Sequence, residues 1–183
     1  MKKLAFALSI LAAGLLALPR PASAEPYFLS LNLLAGVGGS LDGEPSSGFG
    51  NPNFELGLLV PTDINTLVAL RIGQIDLSKR STFEGLEDAK LQYVTIDGEY
   101  RFVENYYMSG LFIGLGAYKL GGDVVGGGGH DDETQVGLHV GVDGEFPITR
   151  RMAVVVQVAG HYVNFSDRAQ MYATAQLGLA LHF

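Results

Sequence analysis

Counted back by twos from the last residue, the chain reads Phe183, Leu181, Leu179, Leu177, Ala175 and Ala173, all apolar. The intervening set, His182, Ala180, Gly178, Gln176, Thr174 and Tyr172, is small or polar. A period of two describes a β-strand with one apolar and one mild face. In water the apolar face needs a second layer to cover it. In a membrane barrel it faces lipid, and the mild face lines the interior. The rest of the chain decides between the two.

The same alternation recurs seven more times. It predicts strands at residues 27–37, 53–60, 66–77, 91–102, 106–119, 134–146, 152–163 and 171–183. In the sixth, Val136, Leu138, Val140, Val142 and Phe146 alternate with Gln135, Gly137, His139, Gly141, Asp143 and Glu145. In the first, Leu34 breaks the pattern. In the third, Val68, Leu70 and Ile72 are expected outward, and the phase slips after Gly73, where Ile75 and Leu77 carry the apolar character. That slip predicts a bulge at the glycine or a strand end standing clear of the membrane. Between the strands lie segments 38–52, 61–65, 78–90, 103–105, 120–133, 147–151 and 164–170, which run long, short, long, short, long, short, moderate. No helical periodicity competes with this reading, and no apolar run after the first 24 residues is long enough for a membrane helix. The fold class expected is all-β, an eight-stranded antiparallel up-and-down transmembrane β-barrel.

Residues 1–24 carry two lysines, an apolar run from Leu4 to Leu18 and a small-residue site at Ala22-Ser23-Ala24. That is the plan of a secretory signal peptide cleaved between Ala24 and Glu25, leaving residues 25–183 as the barrel. The chain has no Cys, which excludes a lipoprotein signal and a disulfide framework. Three of the 12 basic residues and none of the 19 acidic ones lie in the signal, so the remainder has nine against 19, a net charge of −10. Nucleic-acid binding needs a basic footprint and is not expected.

With eight alternating strands, asymmetric connections and aromatics near the strand ends, the chain resembles the small outer-membrane barrels, the OmpA transmembrane domain and OmpX among them. The terminal Phe183 resembles the signal by which the barrel assembly machinery recognises its clients. The resemblance implies a monomer in the outer membrane of a Gram-negative-type bacterium, with membrane lipid and lipopolysaccharide as its surroundings. The periplasmic peptidoglycan-binding domain of OmpA-type proteins is not expected beyond Phe183, so wall anchoring is not carried over. Aromatic girdles are expected from Tyr27, Phe28, Tyr100, Phe102, Tyr106, Tyr107, Phe146 and Phe183 at one end, and from Phe54, Tyr93 and Tyr162 at the other.

The inward phase collects Glu55, Arg71, Asp97, Glu99, Arg101, His139, Asp143, Glu145, Gln157, His161 and His182. An eight-stranded barrel is just wide enough for side chains to fill it. Buried charges must pair, so Arg71 and Arg101 are expected to be shared among the five carboxylates, with a histidine or a proton taking up the excess acid. The inward glycines Gly110, Gly114, Gly116, Gly137 and Gly141 leave room for a path, which keeps a small channel or carrier for ions or apolar compounds open as an alternative. Two enzyme families of this size act on lipid A. The deacylases carry His-x-Ser, but His161-Tyr162-Val163 lacks the serine. The palmitoyltransferases use His with Asp-Ser, but Ser166-Asp167 reverses the order. In the third long segment Asp131, Asp132 and Glu133 are weak candidates for a divalent cation, since oxygen ligands suit calcium. Near lipopolysaccharide headgroups such a segment could share their bridging cations. Neither catalytic residues nor a cofactor are expected. The function expected is that of a non-enzymatic surface protein supporting envelope integrity or adhesion through its loops.

Overall fold

A computed structural model describes residues 28–42, 49–77, 86–104, 106–126, 129–166 and 170–183. The expected signal peptide, its cleavage point and Tyr27 lie outside them. Eight strands follow one another: β1 (Ser30–Ser40), β2 (Asn51–Asp63), β3 (Thr66–Asp76), β4 (Leu86–Val103), β5 (Met108–Val124), β6 (His130–Pro147), β7 (Met152–Val163) and β8 (Met171–His182). Each pairs antiparallel with its sequence neighbours, and β1 pairs with β8 from Ser30↔His182 to Ser40↔Tyr172, closing the barrel. Closure leaves no free sheet edge along the shared length. The first and last strand ends and the β2–β3, β4–β5 and β6–β7 turns share one end, here the terminal end. The other four connections form the loop end.

The alternation explains both faces. Leu56, Leu58, Val68, Leu70, Ile72, Ile96, Ile113, Leu115, Val140 and Val158 stand exposed around the outer wall. A continuous apolar wall of this extent is the lipid-facing band of a transmembrane barrel. At the terminal end Phe28, Tyr100, Phe102, Tyr106, Tyr107 and Phe183 are exposed, with Tyr100 against Phe102 at 5.0 Å and Tyr107 against the half-buried Phe146 at 6.0 Å. At the loop end Phe54 and Tyr162 face outward, but Tyr93 is buried in the lumen and is no part of the girdle. Counted by twos from Asp97, Tyr93 falls on the inward phase.

Two irregularities expected from the sequence dissolve for one reason. Leu34 does not break β1: it points inward and packs with Ala153, Val155 and Ala180. Nor does β3 slip at Gly73. The pairings Gly73↔Tyr93, Gln74↔Gln92 and Ile75↔Leu91 continue in register, and Ile75 and Leu77 are buried inside. What changes along β3 is the surroundings. Below this level the wall is apolar and the middle of the interior polar, with two small apolar clusters, one at Leu34 and one at Leu59, Leu67 and Ala69, nearer the terminal end. Above it Ile75, Leu77, Leu86, Ala89, Leu91, Tyr93, Tyr118, Leu120, Val163, Phe165 and Tyr172 form an apolar core inside. Outside at that height stand Gln74, Asp76, Lys90, Gln92 and Lys119. Both faces exchange polarity at one height, because the strands have left lipid for water.

The strands β4, β5 and β6 therefore run further than the alternation indicated, by several residues toward the loop end. Most of segment 120–133 is ordered strand, paired from Leu120↔Glu133 to Asp123↔His130. The register shift on β4 lies between Glu87 and Lys90, with Asp88 at φ 51. On β2 another lies between Pro61 and Asp63, beside the Ile64–Asn65 turn.

Candidate functional site

The interior is organised on Arg71 of β3, which is fully buried. Its Nε donates to Asp97 Oδ2 at 3.1 Å, its Nη2 to Glu99 Oε2 at 2.8 Å, and its Nη1 to Glu55 Oε1 at 3.4 Å and Gln157 Oε1 at 2.7 Å. Asp143 Oδ2 lies 3.9 Å from Nη2, and the guanidinium sits 4.4 Å over the Phe112 ring. Arginine suits this position because five donors in a planar fork can serve several carboxylates at once. The contact with Gln157 matters most for function. β3 and β7 lie on opposite sides of an eight-stranded ring, so this bond crosses the whole lumen.

The network continues on both sides. Glu99 Oε1 accepts from Arg101 Nε at 2.8 Å, Arg101 Nη1 reaches Glu145 Oε2 at 3.1 Å, and His182 Nε2 lies 2.9 Å from Glu145 Oε1. Gln157 Nε2 donates to Glu55 Oε1 at 3.0 Å and to Gln176 Oε1 at 2.9 Å, and Gln176 donates on to Asn53. Tyr93 Oη donates to Glu55 Oε2 at 2.7 Å, and Thr95 Oγ1 to Asp97 Oδ2 at 2.9 Å. His139 Nδ1 meets Asp97 Oδ1 at 2.9 Å, and His161 Nδ1 lies 3.2 Å from Tyr118 Oη. All eleven inward residues singled out in the sequence thus line the lumen, and Tyr93, Asn53 and Gln176 join them. Counting by twos along β2, β4 and β8 would have found these three.

The inward glycines lie against side chains of neighbouring strands. A Cβ at Gly73 would stand 2.2 Å from the Tyr93 ring, one at Gly141 would stand 2.4 Å from the Phe112 ring, and one at Gly137 would stand 2.9 Å from Tyr118. At Gly110, Gly114 and Gly116 the occupants are Asp143 with Glu99, Asp97, and Thr95. At Gly73, Gly137 and Gly141 the room is taken by an aromatic ring from the neighbouring strand, and at Gly110, Gly114 and Gly116 by shorter polar side chains.

At the loop end Asp131, Asp132 and Glu133 sit on β6 rather than in a loop, so consecutive side chains point to opposite faces. Asp132 pairs with Lys119, which holds its carboxyl below the usual carboxylate range. Glu133 Oε1 accepts from Gln135 and from the backbone N–H of Ser166, each at 3.0 Å. Among the described residues no group of three or more His, Asp or Glu is placed to hold a metal ion. Asp42 accepts the backbone N–H groups of Gln170 and Met171 at 3.0–3.2 Å, tying the start of the β1–β2 connection to the head of β8. His161, which a lipid-modifying site would need at the lipid surface, is buried in the lumen.

No protein-family model and no curated sequence matches the chain. Solved structures do. The neisserial surface protein NspA superposes with a TM-score of 0.70 at 14% identity, over 85% of this chain and 97% of that one. The fold is that of the small eight-stranded outer-membrane barrels. The N-terminal barrel domain of Pseudomonas aeruginosa OprF gives 0.59 at 12% identity, over 84% of this chain and 97% of that one. Ail, the attachment invasion locus protein of Yersinia pestis, gives 0.56 at 15%, over 85% and 96%. At these identities the likeness is one of architecture, and the interior of this eight-stranded barrel is described by its own residues alone.

Proposed function

We propose that this chain is a monomeric, non-enzymatic outer-membrane protein of a Gram-negative-type bacterium, whose work is done at its loop end and whose interior is a structural plug. The Arg71–Gln157 bond across the lumen carries this reading. A cross-section spanned by a guanidinium shared among three carboxylates within hydrogen-bond distance, and roofed by an apolar core, offers neither water nor solute a path. The lipid-facing wall is uniformly apolar, so the loop end is the surface left for interaction. The neighbours support the placement: they are outer-membrane barrels, one of them a surface protein and another an attachment invasion locus protein. Export by the N-terminal signal, insertion through the Phe183 strand and contact with lipopolysaccharide belong to this proposal. Envelope support or adhesion is its physiological side.

The test is planar-bilayer recording on the purified barrel over a range of salt concentrations. Electrical silence from protein that shows heat-modifiable migration is the expected result. Defined conductance steps that change on replacing Arg71 or Asp97 would make the interior a pore and overturn the reading.

A further inference from the structure

The lumen holds more acid than its bases can neutralise. Glu55, Asp97, Glu99, Asp143 and Glu145 are all buried in it. Against them stand Arg71, Arg101, His139 beside Asp97 and His182 beside Glu145. The other lumen histidine, His161, meets Tyr118 Oη and, among the described residues, no carboxylate. Even with His139 and His182 both charged, four cations face five carboxylates, and one carboxyl is left to hold a proton.

The donors show which one. Glu55 accepts from Arg71, Gln157 and Tyr93, and Asp97 from Arg71 and Thr95, with His139 Nδ1 at 2.9 Å. Glu99 accepts from Arg71 and Arg101. Glu145 accepts from Arg101, and His182 Nε2 stands 2.9 Å from its other oxygen. Donors of this kind hold a carboxylate in its charged form. Asp143 is 7% exposed, and its Oδ2 has no hydrogen-bond partner. Its one ion pair among the described residues is a long one, 3.9 Å to Arg71 Nη2, an atom already bound to Glu99. What Asp143 does meet is another carboxylate. The space that a Cβ on Gly110 would take is filled from two sides, by Glu99 Oε1 at 2.7 Å and by Asp143 Oδ1 nearer still. Two carboxyl groups closing on one buried spot share a proton rather than both ionise.

We propose that Asp143 is a proton-binding site of the lumen: its neutral carboxyl donates to Glu99 over Gly110, and this proton makes the closed network sensitive to alkali. Ionised, Asp143 competes with Glu99 for Arg71 Nη2, which is 2.8 Å from Glu99 and 3.9 Å from Asp143. No other described charge relieves it. Arg101 on β4 is taken up by Glu99 and Glu145, and His182 on β8 by Glu145. On its own strand Asp143 has Glu145 as its next inward neighbour, and His139 beyond Gly141 is held at Asp97. β5 presents Gly110 opposite it and β7 presents Gln157, neither of them charged. The proton is held whether the lumen is a plug or a pore.

The experiment is infrared spectroscopy of the folded barrel at neutral pH, in a detergent free of ester groups. Water-exposed acids are ionised there, so a protonated-carboxyl carbonyl band reports the lumen. Such a band is expected in the wild type, lost in Asp143→Asn and kept in Asp131→Asn. Its absence from the folded wild type overturns the site, and so does its persistence in folded Asp143→Asn. If that variant gives no heat-modifiable barrel, wild-type protein isotope-labelled at its aspartate carboxyl carbons decides. A band that moves on labelling supports the site, and one that stays belongs to a glutamate and overturns it. Urea unfolding against pH reads the consequence. The folded barrel keeps a proton that the unfolded chain releases in the ordinary carboxylate range, so wild-type stability falls with rising pH until Asp143 ionises. Asp143→Asn lacks that loss, and its unfolding midpoint should gain on the wild type's as pH rises. A difference between the two midpoints that is constant with pH overturns the sensitivity to alkali.

Discussion

Arg71 sits in a position where losing it costs more than it contributes, because its removal leaves Glu55, Asp97 and Glu99 buried without their shared cation. Arg71→Met is expected to destabilise the barrel by about 3–5 kcal/mol, read from urea unfolding in lipid vesicles by gel migration. The glycine seats make a second test at this scale. Gly73→Ala drives a methyl into the Tyr93 ring and strains the Tyr93–Glu55 hydrogen bond, at a cost of about 1–3 kcal/mol. Gly98→Ala meets nothing nearer than the Ile113 carbonyl at 4.0 Å, and the same assay should find it near neutral. Charged lumen residues were legible because a charge on a strand's mild face has only one place to go. Tyr93 was not, because an aromatic near a strand end fits a girdle as well as a lumen. Only the phase, two residues from Thr95 and four from Asp97, separates the two readings.

At the scale of the strand, β6 shows why the pattern was readable in lipid and failed above it. From Gln135 to Glu145 apolar and mild residues alternate, since one face meets hydrocarbon. From His130 to Glu133 every residue is polar and exposed or half-buried, so this stretch of strand carries no period-two signal. Ile75 and Leu77 of β3 misled in the opposite way: their apolar character moved to the inner face where the bilayer ended, which imitates a slip. This locates the membrane boundary. Val140→Arg on the outer wall should destabilise the folded barrel by about 2–4 kcal/mol, whereas Gln92→Arg, at the boundary, should cost about 0–1 kcal/mol, by vesicle unfolding. Above the boundary Lys119→Met should let Asp132 titrate back up toward the usual carboxylate range, followed by its carboxyl carbon resonance. The depressed value means that the pair's contribution is present above the ordinary carboxylate range and is lost as pH falls through the folded value. Solvent around the exposed Lys119–Asp132 pair keeps that contribution small.

For the whole molecule, eight alternating strands and their asymmetric connections identified a closed barrel without any motif. The pairing of β1 with β8 is the geometric consequence of an even strand count with both ends on one side. Function was far less legible, because loop-end chemistry has no periodicity to read, and a lumen that is charged in sequence can be either a conduit or a plug. The Arg71–Gln157 bond across the lumen supports the plug, and bilayer recording tests it. The apolar core around Ile75, Leu91, Tyr118 and Phe165 has a further consequence, in temperature. It is the largest buried apolar cluster among the described residues, so its opening would expose the most hydrocarbon to water and should carry the largest share of the positive heat capacity of unfolding. In the band below, the outer wall exchanges contacts with lipid tails, and the smaller inner clusters at Leu34 and Leu59 contribute less. Cooling toward freezing should therefore loosen the cap first while the membrane band stays closed, and amide exchange at Leu91 and Tyr118 should quicken relative to Ile96 and Ile113.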